Sequence, residues 1–478
     1  MISNPNIESL YAEQEQNETF RDKLSTVDED GKRIWVYPKK PSGVFYKWRN
    51  AVSVLLLAFL FGAPFLKIDG QPFLLFNIFE RKFIIFGQVF WPQDFHLAVL
   101  GMITLVVFII LFTVVYGRIF CGWICPQTIF MEMVFRKIEY WIEGDYTAQR
   151  KLDKAEWNKE KVLKKGSKHL IFLIISALIM HTFIAYLIGV DGVWRIIGEP
   201  VNQNMGGFTA MIVFTGLFYG VFSRMREQVC TTICPYGRLQ GVLLDKDSVV
   251  VAYDHKRGEN RGKFRKNEDR LEVGKGDCID CKQCVYVCPT GIDIRNGTQL
   301  ECVNCTACID ACDDIMERVN QPKGLIRYAS EENIVSGTPF TFTKRTMAYS
   351  VVLVLLLGVF TSFLLIRSDT ETTLLRTPGL TYQKNDNGTI SNLYQISMVN
   401  KTNKDLDLVF KIRDDIGTIR MIGGNDPKVE AQATYEGALF IDIDSKALKE
   451  LSTKLKIDIY SDGVLIETTK TRFLGPNL

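Results

Sequence analysis

Five apolar stretches constrain the fold of this 478-residue chain more than any other feature of its sequence. Leu97–Tyr116, Leu170–Gly189 and Met347–Ile366 each have about the 20 apolar residues that a helix needs to cross a lipid bilayer. Ala51–Leu66 and the shorter Phe208–Phe222 complete the set. We therefore predict a multispan protein embedded in the membrane lipid bilayer, with transmembrane helices at about 47–66, 97–116, 170–189, 207–223 and 346–366.

Basic residues are distributed unevenly between these stretches. The segment before the first stretch contains eight Lys and Arg residues, 118–168 contains eleven and 224–345 contains nineteen. By contrast, 67–94 contains three and 191–207 contains only Arg195. Because loops rich in Lys and Arg remain on the cytoplasmic side, we expect a cytoplasmic N-terminal tail (1–46) and an outside C-terminus. The apolar but charge-interrupted segment 72–91 is predicted to be a loop at the membrane interface.

The overall charge is nearly balanced, with 57 basic and 54 acidic residues. This balance gives no reason to expect a nucleic-acid partner. The twelve cysteines are more informative, because all of them lie between Cys121 and Cys312. Disulfide scaffolds spread their cysteines through a domain, whereas cofactor sites group them at fixed spacings. The grouping therefore predicts thiolate sites for metal, on the side predicted to be cytoplasmic.

Two consecutive runs have the spacing C-x2-C-x2-C-x3-C, beginning at Cys278 and at Cys302. Bacterial two-cluster ferredoxins use this run, and the fourth cysteine of each run binds the other cluster. Zinc is the alternative, but eight ligands at this spacing suit two cubane clusters better than four-ligand zinc sites. The predicted ligands are Cys278, Cys281, Cys284 and Cys312 for the first [4Fe–4S] cluster, and Cys288, Cys302, Cys305 and Cys308 for the second.

Only 13 residues separate the two runs, so we predict a compact ferredoxin-like α+β domain at 263–330, of the βαββαβ type. Asp313 follows the last cysteine, at a position where proline is usual. This departure leaves all the ligands in place. It is expected to change the turn that follows Cys312 and the potential of the first cluster.

Two C-x3-C-P motifs follow the second and fourth apolar stretches, one at 121–126 and one within the predicted cytoplasmic segment 224–262. Positions i and i+4 of a helix share a face, so each pair of thiols is expected to point to one spot, and the proline to discourage further helix. The pairs could bind copper, bind a third cluster jointly, cycle as dithiols or simply pack. The four candidate redox residues are Cys121, Cys125, Cys230 and Cys234.

Two histidines lie in the predicted spans. His181 lies in the third span, and His96 opens the second. An ionisable residue inside a membrane is a functional candidate by default. Contact with copper, a quinone or a haem is weighed equally here against simple helix packing.

The residues after about 370 have a different pattern. Leu393–Val399, Leu406–Ile412, Ala438–Ile443 and Leu455–Tyr460 alternate apolar and polar residues, as half-buried strands do. About 105 residues of short strands suit an immunoglobulin-like all-β sandwich at 370–478. This domain contains no cysteine, and we expect it to act in docking.

Taken together, these features resemble the cytochrome c oxidase accessory protein family, CcoG, also called FixG or RdxA. The resemblance rests on the Gly117–Thr128 segment, the Tyr236-Gly237-Arg238 sequence after the second C-x3-C-P motif, the tandem cluster runs and the C-terminal sandwich. It implies a cupric reductase of the bacterial cytoplasmic membrane. Such a protein would convert Cu(II) to Cu(I) for assembly of a cbb-type cytochrome c oxidase, with copper-delivery and oxidase-assembly proteins and an electron donor as its partners.

Two other functions remain open at the level of sequence. The C-x3-C-P pairs and cluster runs also resemble quinol-oxidising electron-transfer subunits of the NapH or NosR type. A non-catalytic assembly scaffold is the second alternative. Eight thiolates at full cluster spacing favour electron transfer over a purely structural role.

Overall fold

The computed structural model describes residues 26–27, 30, 32–68, 70–79, 82–91, 94–265, 268–270, 272–337, 344–366, 368, 370–379, 381–386, 388–423, 427–448 and 450–476. The predicted tail before residue 26 lies outside these residues. The chain divides into two compact units, which are described separately below. One comprises the chain up to Pro64 and Gly101–Gly358, and the other comprises Phe65–Leu100 and Val359–Leu478.

The helices are most numerous in the first unit. They are α1 (Val44–Gly62), α2 (Phe95–Tyr116), α3 (Ile119–Trp123), α4 (Pro126–Thr128), α5 (Arg136–Ile142), α6 (Tyr146–Lys154), α7 (Lys159–Gly198), α8 (Met205–Gly220), α9 (Pro235–Leu243), α10 (His255–Gly258), α11 (Gln283–Tyr286), α12 (Ala307–Arg318), α13 (Glu331–Ser336) and α14 (Lys344–Leu365). Turns of π-helix occur at Ile129–Phe135, Val221–Met225 and Val229–Ile233.

The strands lie in five small or medium sheets. They are β1 (Lys67–Ile68), β2 (Gln71–Pro72), β3 (Leu74–Asn77), β4 (Lys82–Ile85), β5 (Gln88–Phe90), β6 (Val250–Tyr253), β7 (Ile326–Ala329), β8 (Thr370–Arg376), β9 (Gln383–Lys384), β10 (Thr389–Asn400), β11 (Leu406–Ile412), β12 (Gly417–Met421), β13 (Lys428–Val429), β14 (Thr434–Asp444), β15 (Ser452–Ser461) and β16 (Val464–Leu474).

Five helices of the described residues are long and apolar enough to cross a membrane, as the sequence predicted. They correspond to α1, α2, α7, α8 and α14, and the fourth span reaches Met225 through a π-helical turn. Helix α7 is longer than the predicted third span, because it begins at Lys159, far before the apolar residues. Its regular helix ends at Gly189, where a positive φ of 79° breaks the backbone geometry.

The cluster-run domain is simpler than the predicted βαββαβ core. Its described residues form one antiparallel pair, β6 with β7, in which Val250 pairs with Ala329. Helix α12 packs against β7 and against the helical turn α11. The four-strand prediction was therefore wrong. Strand β6 also precedes residue 263, so the domain includes chain before the predicted boundary.

Asp313 has a definite role at the end of the second run. Because proline is absent there, α12 continues through Cys312 to Arg318. The Asp313 carboxylate then accepts a hydrogen bond from the Gly324 backbone N–H at 2.9 Å. The departure from the usual motif thus fixes the chain that leads from α12 into β7.

The C-terminal residues form the predicted sandwich. One sheet has the order β12–β14–β10–β8, with β9 also on β10, and the other has the order β13–β11–β15–β16. The four strands predicted from alternation coincide with or lie within β10, β11, β14 and β15. Their inward side chains are completely buried, and the Tyr394 hydroxyl donates to the Arg472 carbonyl at 2.9 Å.

The segment between the first two spans belongs to the same unit as the sandwich. The prediction of an interfacial loop was wrong in its structure, because β1 pairs with β2 and β3, β4 and β5 form a three-stranded sheet. Lys401 of the sandwich binds Asp94 at 2.6 Å and Glu371 at 3.0 Å. The predicted transmembrane region 47–223 is therefore divided between the two units.

Candidate redox site

The two cluster runs have the same backbone conformation. In the first run, Asp280 and Lys282 flank Cys281 with φ of 53° and 55°. In the second run, Asn304 and Thr306 flank Cys305 with φ of 52° and 63°. Left-handed backbone at residues other than glycine is uncommon and costs free energy, so its recurrence at equivalent positions indicates a shared structural requirement. It curls each loop around its cysteines.

The thiols are grouped across the two runs. The nearest charged neighbours of Cys312 are Cys284, Cys281 and Cys278, which all belong to the other run. Cys288 is, in turn, a charged neighbour of Cys302, Cys305 and Cys308. The fourth cysteine of each run therefore lies with the first three of the other.

The surroundings of these thiols suit metal-bound thiolates. Burial raises the pKa of Cys284 and of Cys302 to about 12, so the apo thiols are protonated at neutral pH. Burial also raises the pKa of Cys288, although N–H groups of Thr290, Gly291 and Ile292 oppose the shift by hydrogen bonding to its sulfur. Such N–H donors stabilise a thiolate once a metal displaces the proton.

These observations fit the predicted clusters. The eight cysteines are free thiols, and a cavity is lined by Cys284 together with four cysteines of the second group (Cys288, Cys302, Cys305 and Cys308). The donor set is all sulfur, which suits iron–sulfur clusters. When bound, such clusters supply reversible one-electron storage.

The C-x3-C-P motifs differ from their predicted geometry. The backbone leaves the helical conformation at Cys125 (φ −56°, ψ 124°) and at Cys234 (φ −66°, ψ 114°). The prediction that each pair shares one face of a continuous helix was therefore wrong. A proline disfavours helical geometry in the residue before it, and its own fixed φ suits the first turn of a helix. Each proline accordingly begins a new helix, α4 or α9.

The two motifs nevertheless meet. The charged neighbours of Cys230 include Cys125, Cys121 and Cys234, and those of Cys121 include Cys125 and Cys234. Burial raises the pKa of Cys121 to about 11 and that of Cys230 to about 12. We call these four residues the four-thiol centre. Its members are separated by about a hundred residues of sequence, and the fold brings them together.

The four-thiol centre lies against the second cluster run. Cys121 packs with Val303, Cys305 and Cys308 in one apolar cluster. A Cβ built on Gly122 would lie 2.6 Å from the carbonyl oxygens of Val303 and Asn304, so only glycine permits this approach.

Arg118 links the same parts of the fold. Its buried guanidinium donates to the carbonyls of Leu300 and Cys302 in the second run, and to that of Gly237 at 2.8 Å after the second C-x3-C-P motif. The centre and the second run therefore form one continuous packed region.

A buried ionic network surrounds this region, and the sequence analysis did not identify it. Arg226 pairs with Glu139 at 2.6 Å, and Arg136 pairs with Glu132 at 3.0 Å. The signal in the sequence was the run Glu132, Arg136 and Glu139, with helical spacing, directly after the first C-x3-C-P motif. Buried charges are retained where they are paired, so this network fixes the relative positions of α5 and the chain after α8.

The two candidate histidines have no comparable setting. His181 is half-buried, and its Nδ1 lies 2.6 Å from the Ala177 carbonyl of its own helix. His96 is exposed at the start of α2. Among the described residues, no three His, Cys, Asp or Glu side chains lie close enough to bind one metal ion together. A functional role for either histidine stays a prediction.

Comparison with known families assigns each part of this arrangement. A model of a 4Fe-4S dicluster domain matches residues 225–331, and a model of a 4Fe-4S binding domain matches residues 98–145, which contain the first C-x3-C-P motif. A model of the IG-like fold at the C-terminus of FixG matches residues 360–476.

Among curated proteins, the chain is 32% identical to protein RdxA of Cereibacter sphaeroides, over 93% of this chain and 98% of that protein. It is 35% identical to the nitrogen fixation protein FixG of Rhizobium meliloti, over 66% of this chain and 61% of that protein. A more distant relative is the ferredoxin-type protein NapH of Escherichia coli, with 22% identity over 45% of this chain and 67% of that protein.

Proposed function

The chain belongs to the FixG and RdxA family of iron–sulfur electron-transfer proteins, and from this premise we propose that it is a membrane-bound cupric reductase. In this proposal, electrons held on its clusters reduce Cu(II) to Cu(I). The observation that carries the proposal is the contact of the four-thiol centre with the second cluster run, because it joins all twelve cysteines into one continuous region.

The four-thiol centre is proposed to hold a third [4Fe–4S] cluster. Four buried thiols from two motifs supply a complete ligand set, and the first motif lies within the match to a 4Fe-4S binding domain. The protein residues would then provide a chain of three redox sites. Glycine at position 122 and the carbonyl contacts of Arg118 hold the third site against the second.

Copper is proposed as the electron acceptor and as a substrate. Each Cu(II) takes one electron from a reduced cluster and leaves as Cu(I), so no proton or second product is required. Soft sulfur ligands favour Cu(I) over Cu(II), which makes a thiol-rich surface a suitable place for the reduction. The Cu(I) would pass to copper-delivery and oxidase-assembly proteins in the bacterial cytoplasmic membrane.

The sidedness is proposed from charge alone. The segments that contain the cysteines are rich in Lys and Arg, which places them on the cytoplasmic side, and the sandwich would then be periplasmic. Free thiolate ligands also require a reducing compartment.

The experiment is a single-turnover transfer with the purified protein in nanodiscs. The clusters are reduced, excess reductant is removed, and Cu(II) is added with a Cu(I)-specific chelator. One Cu(I) is expected per cluster electron lost. The C121S/C125S and C230S/C234S variants should behave alike: each should lose the iron of one cluster, keep the other two, and transfer electrons to Cu(II) much more slowly. Unequal effects of the two variants would contradict a shared site.

Quinol oxidation is the second candidate, because NapH is among the relatives and both C-x3-C-P motifs follow membrane spans. The same preparation distinguishes the two functions. Rapid reduction of the oxidised clusters by a quinol, with no Cu(I) formed from the reduced clusters, would reject cupric reduction. Clusters that exchange electrons with neither partner would leave the scaffold function.

A further inference from the structure

The side-chain amide of Gln240 lies against the sulfur of Cys121. Its Nε2 is 3.4 Å from Sγ, and its Oε1 is 3.5 Å from the same atom. Gln240 is on α9, directly after the second C-x3-C-P motif, whereas Cys121 belongs to the first. The residue has no solvent exposure (0%), so this contact is not in competition with water. The amide therefore joins the two halves of the four-thiol centre.

A chain of hydrogen bonds fixes the orientation of this amide. The Tyr236 hydroxyl is bonded to Gln240 and lies 3.0 Å from the hydroxyl of Thr113 in helix α2. Thr113 in turn donates to the Ile109 carbonyl at 2.7 Å. The Phe120 ring stands edge-on to the Tyr236 ring, with centroids 6.2 Å apart. The amide N–H groups can thus serve Tyr236 and Cys121 together, since an NH2 group has two donors.

The other half of the centre has a different side chain in the equivalent place. The two motifs are offset by 109 residues, and this offset relates Cys121 to Cys230 and Met131 to Gln240. Met131 is buried and lines a cavity together with Cys230. A thioether has no N–H to donate. The internal repeat is therefore symmetric in its thiols and asymmetric in the group beside each first cysteine.

We propose that Gln240 is a positioning residue that raises the reduction potential of the four-thiol centre by donating an N–H hydrogen bond to the Cys121 thiolate. This inference rests on the proposed function in one respect, namely that the centre holds a cluster. Reduction adds negative charge to a cluster and its sulfurs, and hydrogen bonds to the sulfurs favour that reduced state. The Met131 side leaves its sulfur without such a donor, so the two halves are electronically unequal.

The experiment exchanges the two side chains. Redox titration followed by electron paramagnetic resonance is carried out on the full chain and on its Q240M and M131Q variants. Q240M should lower the midpoint potential of one cluster by the equivalent of roughly tenfold in its reduced-to-oxidised ratio, which is about 59 mV for a one-electron couple. M131Q should shift the same cluster upwards, and the other two clusters should not move.

The control is Q149M, because Gln149 is also buried and its amide donates to the Gly144 carbonyl at 2.9 Å. It should leave all three potentials unchanged. If three clusters are counted from the iron content but neither Q240M nor M131Q moves a potential, the role of Gln240 is rejected and the third cluster stands. If the wild-type chain contains the iron of only two clusters, the third-cluster part of the proposed function is rejected instead, and the inference is rejected with it.

Discussion

Gly122 lies directly against Asn304, so that a Cβ at position 122 would be 2.6 Å from the Asn304 carbonyl oxygen. Gly122 is the residue after Cys121, and Asn304 lies between two ligands of the second cluster run. Asn304 has a positive φ of 52°, and its own side chain accepts a hydrogen bond from the Val251 N–H at 3.2 Å. Neither backbone can therefore retreat easily. This contact holds the membrane-proximal centre against the cluster-run domain.

The substitution G122A should separate these two parts of the protein. The added methyl group meets backbone atoms on the other side, and overpacking of this kind costs roughly 1–3 kcal/mol. We expect reduced iron content and slower electron transfer to Cu(II), measured on the purified protein. G166A is the matched control, because nothing lies within 4 Å of a Cβ on Gly166. Equal effects of both substitutions would show that the contact has no special importance.

Asp310 caps the first transmembrane helix. Its carboxylate accepts hydrogen bonds from the Phe45 N–H at 3.1 Å and the Tyr46 N–H at 2.8 Å, at the start of α1. We expect D310A to destabilise the protein by about 1 kcal/mol, the usual effect of losing such a cap. Thermal unfolding of the cluster-loaded protein measures it. D314A is the control, since Asp314 lies exposed on the same helix, and an unfolding midpoint as low as that of D310A would contradict the prediction.

Crossed ligation of the clusters predicts a pattern in double variants. The thiol of Cys312 lies with that of Cys281, whereas Cys288 lies with the cysteines of the second run. C281S/C312S should therefore lose the iron of one cluster, and C281S/C288S that of two. Iron content per chain and electron paramagnetic resonance measure this difference. Equal iron loss in the two variants would reject the crossed assignment.

Glu139 predicts a pH dependence of stability. Burial would raise the pKa of this carboxyl group, but Arg226, Lys168 and Arg136 outweigh burial and hold the pKa below its ordinary value of 4.5. A depressed folded-state pKa means that the ion pairs stabilise the protein above the unfolded-state pKa, and that this contribution disappears as the pH falls through the folded-state value.

E139Q should accordingly lower the unfolding free energy at pH 7 by about 3 kcal/mol, because it leaves Arg226 buried without its partner charge. The difference from wild type should stay constant down to about the ordinary carboxyl pKa and shrink below it. Thermal unfolding between pH 7 and pH 4 measures the difference. E160Q removes an exposed carboxylate paired with Lys164 and should behave like wild type throughout. A wild-type to E139Q difference that does not change with pH would contradict the assignment.

The sequence was sufficient wherever a local pattern determines structure. Apolar stretches of bilayer length identified the five membrane helices, and two-residue alternation identified β10, β11, β14 and β15. The prediction failed for the segment 72–91, because short strands paired within a small sheet leave a weak signal. It also failed at Cys125 and Cys234, where the following proline changes the local backbone.

By itself, the sequence determined the residue types and spacings that make cluster ligands of Cys278–Cys312, because those spacings operate over a few residues. Only the tertiary structure decided that the two C-x3-C-P motifs meet, that Gln240 of one lies against Cys121 of the other, and that Gly122 packs on Asn304. These contacts join residues 109 or more positions apart, and no local periodicity records them. They depend on how the helices and the cluster runs pack, which is a property of the whole fold.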